Sequence, residues 1–142
     1  MKDFNGKIQY KDKELKLVFN LNVMESIQNE YGSLDNWGAL TDGAEYAKKA
    51  YEKQGKEKPW DELTDEEKSE YKGEPDAKAV IFGFTEMINE AIDIENEENG
   101  TDIKPFTLRQ VGRIITEYGL ANATATLNKT VVESVNSTEK NA

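Results

Sequence analysis

The chain has 142 residues, no cysteine and no histidine, and carries a net charge of −10 with a pI near 4.6. That length fits one domain with a real core. Missing thiols exclude disulfides, thiolate nucleophiles and cysteine-type zinc sites. The acidic balance argues against nucleic-acid binding, which draws on clustered Lys and Arg.

The N-terminal Met1–Lys7 has no apolar segment of the signal-peptide kind, and no apolar run approaches the ~20 residues of a membrane span. These readings predict a soluble cytoplasmic protein. From the N-terminus, Ile8 and Tyr10, then Leu15, Leu17 and Phe19, alternate with polar residues on either side of Lys11-Asp12-Lys13-Glu14. Period-two alternation around a polar connector predicts a β-hairpin, with Asn5-Gly6 as a candidate turn ahead of it.

Asn20 and Asn22 offer caps for a helix through Met24, Ile27 and Tyr31, which Gly32 would end. A short helix from Ser33 to Leu40 would turn Trp37 and Leu40 inward. The composition then shifts. Residues 42–78 are rich in Glu, Lys, Gly and Tyr, interrupted by Pro59 and Pro75. They read as a charged insertion with marginal helices at 44–54 and 65–71, the latter capped by Thr64, whose strong packing handles are Tyr46, Tyr51, Trp60 and Tyr71.

The most informative stretch follows. Between Asp76 and Gly100, Val80, Ile81, Phe84, Met87, Ile88, Ala91 and Ile92 recur every three to four residues, the spacing of one helical face. The stripe reads structurally as a central core helix and functionally as a groove for a partner helix. Its C-terminal half turns acidic through Glu90, Asp93, Glu95, Glu97 and Glu98. After a loop at 99–105, Thr107 caps a helix through Leu108, Val111, Ile114, Ile115 and Tyr118, closed by Gly119. Gly112 on that face would admit a close backbone approach. A last helix runs through Ala123, Leu127, Val131 and Val135, and the small polar tail at 136–142 is expected to fray. The whole reads as a single α+β domain, with an N-terminal hairpin on a mainly helical body of about four to six helices.

Chemistry finds few handles. Without histidine, acid–base work would fall to paired carboxylates, whose spacing here is that of a solvated helix face. Phosphate-binding loops and nucleophile elbows are absent from the sequence. The EF-hand-like start at Glu95, Glu97 and Asn99 puts Phe106 at the twelfth position, where a bidentate Glu is required. No catalytic residue, cofactor or metal ligand is therefore assigned. Phe82 points away from the Phe84–Ile88 stripe, and with Trp37 and Trp60 it forms the set of candidate partner-binding aromatics.

Four segments resemble one family. Phe4-Asn5-Gly6-Lys7 with the run from Leu17 to Glu25, the stretch Phe84–Glu90, Ile94–Glu97, and Phe106–Gly112 are similar to tail assembly chaperones of long-tailed phages of Gram-positive hosts. The likeness covers the first forty residues and about 77–127, skipping the charged insertion. It implies a non-enzymatic role in the host cytoplasm: binding the tape-measure protein, keeping it soluble while tail-tube subunits assemble, and contacting the tail-tube protein as a further partner. The resemblance carries no site residues. It leaves self-association open, and it implies neither nucleic acid nor membrane as a partner. Two rival classes fit the composition: an acidic phage inhibitor or DNA mimic on a basic host protein, and a small carboxylate hydrolase.

Overall fold

The computed structural model describes residues 4–71 and 75–140, with the backbone alone at 4–5, 44–46 and 134–140. Strands β1 (Phe4–Tyr10) and β2 (Lys13–Phe19) form an antiparallel hairpin. Seven helices follow among the described residues: α1 (Leu21–Tyr31), α2 (Leu34–Thr41), α3 (Ala44–Glu52), α4 (Asp65–Ser69), α5 (Ala77–Asn99), α6 (Leu108–Tyr118) and α7 (Leu120–Lys140). The architecture is α+β with a mainly helical body, as the patterning predicts.

The hairpin turn is tighter than the four-residue connector expected from sequence. Lys13 and Glu14 pair with Tyr10 and Gln9, leaving Lys11-Asp12 alone as the turn, with Lys11 at φ 56°. Asn5-Gly6 is not a turn but part of β1, where Gly6 faces Leu17. Gly6 is required by packing: a Cβ there would collide with Thr130 of α7. Thr130 is itself buried, its hydroxyl satisfied by the Thr126 carbonyl at 2.8 Å.

One residue converts strand to helix. The Asn20 side chain accepts the Val23 N–H at 3.2 Å and caps α1 directly after β2 ends. Gly32, at φ 84°, stops α1, and Ser33 caps α2 by accepting the Asn36 N–H at 3.0 Å. Helix α2 then buries Trp37, which is 2% exposed. Its indole N–H donates to the Ala79 carbonyl at 2.9 Å, and its ring lies where a Cβ on Gly83 would be. Gly83 thus lets α2 approach α5 through a full indole.

Helix α5 is the axis. At 1.5 Å per residue its 23 residues span roughly 34 Å, and it packs against β2, α1, α2, α6 and α7. Val80, Phe84, Met87 and Ile88 are buried along it, joined by Ile8, Leu17, Phe19, Val23, Ile27, Val111, Ile114, Ile115, Ala123 and Leu127 in one continuous core. Each such side chain contributes about 1.5–3 kcal/mol by leaving water. Leu108, expected on the buried stripe of α6, is instead 52% exposed. It occupies the first helical turn, ahead of the buried Val111 and Ile114.

The loop after α5 is an ordered strap. Asn89 donates to the Phe106 carbonyl at 3.0 Å and accepts the Phe106 N–H at 2.8 Å. Asn96 does the same for Ile103, at 3.0 and 2.9 Å. Seven helical residues advance about 10 Å, close to the reach of three extended ones, so two side-chain amides can hold both ends of the segment in register.

The 42–78 insertion carries an aromatic cluster of its own, and its α3 packs against α2. Tyr51, Trp60 and Tyr71 pack ring on ring with centroids 5.1–6.0 Å apart, and the Tyr51 hydroxyl donates to the Lys58 carbonyl at 2.6 Å. The expected handle Tyr46 has a side chain outside the described residues. Thr64 and Glu67 form a capping box on α4. At the base of the excursion, the Asp76 N–H donates to the Leu40 carbonyl at 2.8 Å, which ties its two ends together. At the other end of the chain, α7 runs from Leu120 to Lys140, past Val135 where the sequence pattern placed its last apolar residue. Residues 141–142 and the Val135 side chain lie outside the described residues.

Candidate partner-binding groove

Between α1, α5 and α6 lies an open apolar groove of roughly 570 Å³. Ile81 and Phe82 of α5 form one wall, and Leu108 and Gly112 of α6 form the other. Lys78, Arg109 and Glu30 supply its charged members. The sequence builds the groove in two ways. Ile81 and Phe82 are only partly buried at the margin of the core, so α5 keeps apolar surface beside it. On α6, Leu108 and Gly112 are one turn apart, and the glycine removes the side chain that would fill the floor. The sequence suggested a close backbone approach at Gly112, but its nearest neighbour is the Ile81 side chain, 3.5 Å from where a Cβ would sit.

The charges around the groove are unevenly paired. Lys78 Nζ lies 3.9 Å from Glu30 Oε1, the lysine largely in solvent and the glutamate about half so. Arg109 is exposed and has no ion-pair partner among the described residues. Tyr31 packs edge-on against Phe82 at 5.6 Å, and its hydroxyl is buried without a hydrogen-bond partner. Burial, then the carboxylates of Asp76 and Glu30, push its pKa up, so the phenol stays protonated.

The three aromatics singled out in the sequence do not come together. Phe82 is half-buried on the groove wall, in a position to contact a partner. Trp37 cannot serve as a surface anchor: it is sealed in the core between α2 and α5, where a buried N–H had to find a carbonyl. Trp60 is half-buried in the excursion's ring cluster, with the Lys68 ammonium 5.6 Å from its ring. Ile81, Leu108, Gly112 and Arg109 were not singled out as contacts in the sequence. The signal for them was weak: an isoleucine beside Phe82, and a leucine in the first turn of α6, one turn ahead of a glycine.

Elsewhere, Glu86 is the one carboxyl with a raised pKa among those described. Desolvation is the main cause, opposed by a Ser26 hydrogen bond and aided by Glu90. Glu86 does not line the groove, and among the described residues no three carboxylates gather as a metal cage. No described helix is long and apolar enough to cross a membrane. Compared with protein-family models, curated proteins and solved structures, the chain matches none of them.

Proposed function

We propose that this chain is a tail assembly chaperone that works in the host cytoplasm by binding, not by catalysis, covering apolar helical stripes of a tape-measure protein until tail-tube subunits enclose it. The observation that carries this reading is the charge-rimmed apolar groove of Ile81, Phe82, Leu108 and Gly112. A shield for greasy helices needs such a surface, whereas a DNA mimic needs carboxylates arrayed at phosphate-like spacing. Exposed apolar stripes on a long unassembled protein drive aggregation. A binder with net charge −10 adds solubility to any complex that it joins.

The test is co-expression with the tape-measure protein of the phage to which the proposal assigns this chain. With the native chain, the tape-measure protein is expected to stay soluble and copurify. With Phe82→Glu, which places a carboxylate on the groove wall, it is expected to precipitate. Tape-measure protein that is insoluble beside the native chain, with no association, sinks the proposal.

A further inference from the structure

We infer that the groove selects a helix whose apolar stripe is edged by carboxylates; this rests on the reading of the groove as a partner site. The grounds are charge and shape. Of the three charged residues lining the groove, Glu30 and Lys78 approach one another at 3.9 Å as a solvent-exposed pair whose charges cancel in sum, and the Arg109 guanidinium, beside exposed Leu108, has no ion-pair partner among the described residues. The groove therefore presents a net positive edge on a molecule whose total charge is −10.

Two opposing effects must be weighed. The global charge repels an acidic partner, and the local guanidinium attracts one. Of the acids on α5, Glu86 and Glu90, about 6 and 12 Å along the helix from Phe82, are engaged by Ser26 and Asn22 of α1 and do not line the groove, and Asp93 lies about 16 Å away. Glu90 and Asp93 lie beyond the ~8 Å screening length at physiological salt, so Glu86 is the one acid of this helix segment left to oppose Arg109 at short range. A carboxylate docked on Arg109 sits within hydrogen-bond distance and can bind in the two-pronged mode that arginine favours. The local effect wins at contact. The shape suits a helix in particular: α5 and α6 make two walls, and the missing side chain at Gly112 lets a ridge of a third helix settle between them.

The experiment uses two synthetic helices of about 18 residues, five turns, with one shared Leu/Ile stripe. One is edged with Glu and the other with Lys, and each is titrated into the full chain by fluorescence anisotropy. The Glu-edged peptide is expected to bind about tenfold tighter, the order one charge-assisted contact supplies, with the gap narrowing as salt rises. Arg109→Glu should reverse the preference. Gly112→Ala should weaken both peptides while raising the melting temperature: its Cβ meets Ile81 at an ordinary 3.5 Å, and alanine suits a helix interior better than glycine. That variant separates a blocked groove from a damaged fold. Equal or tighter binding of the Lys-edged peptide, or failure of both peptides, overturns the inference. So does a dimer in sedimentation that Gly112→Ala dissolves, which would assign the groove to a second copy. Should both peptides fail while the tape-measure protein still copurifies, the chaperone reading stands and the groove assignment falls. Should the Glu-edged peptide bind while the tape-measure protein remains insoluble, the reverse holds.

Discussion

In the body, side chains from the hairpin and five helices bury one another in a single cluster around α5; in the excursion at 42–78, Ala47, Tyr51 and Leu63 are buried but join no part of that cluster. The excursion is held by three rings packed edge-to-face or tilted, a capping box and lysines lying over aromatic faces. Such surface contacts contribute about 0.5–1.5 kcal/mol apiece. The difference teaches where cooperativity resides. Damage to the body should unfold everything, whereas damage to the excursion should stay local.

Replacing Trp37 is the strongest way to break the body. Trp37→Ala opens a large cavity beside Gly83 and removes the hydrogen bond to Ala79, for a loss of about 3–5 kcal/mol in urea-denaturation stability. A smaller version acts from the other side. Gly83→Ala pushes a methyl group into the indole and should cost about 1–3 kcal/mol by overpacking, even though alanine is the better helix former. If Gly83→Ala instead stabilises the protein, α2 and α5 are not in the close contact described.

The same amino-acid change in the excursion should look different. Trp60→Ala removes a ring that contacts Tyr51 and Tyr71, yet global stability should shift by less than about 1 kcal/mol. Hydrogen exchange within 47–71 should rise steeply in that variant. A Trp60→Ala loss comparable with that of Trp37→Ala would mean that the two regions fold as one unit.

The smallest effect belongs to Glu86. Burial raises its pKa in the folded state above the ordinary value of 4.5, so the native protein binds this proton more tightly than the unfolded chain does. Stability contributed by this group is therefore complete in acid and declines as pH rises through the raised native value. Glu86→Gln keeps an acceptor for Ser26 and removes the charge. It should be modestly more stable than the native chain at pH 7, with the gain fading below pH 4.5. An unchanged or widening gap in acid would show that the Glu86 carboxylate is not penalised by burial.

Much of the body was legible because its causes are local. Period-two alternation marked the hairpin, Asn20, Ser33 and Thr107 marked helix starts, and the stripe from Val80 to Ile92 marked α5. Distant contacts were not legible. Gly6 is small because of Thr130 and Gly83 because of Trp37, and no neighbouring residue announces either pairing. Asn89 and Asn96 read as ordinary polar positions on a helix until the strap they hold is seen beside them. The groove was half legible. Phe82 stood out by its direction, but Arg109 and Leu108 matter only because α6 lies alongside α5.

The bond between Asp76 and Leu40 carries a practical consequence. It closes a neck where the excursion leaves the body, beside the packing of α3 on α2. A reporter domain with neighbouring termini, or a short bridge of glycine and serine, could take the excursion's place there. The groove between α5 and α6 would stay bare and readable after such an exchange.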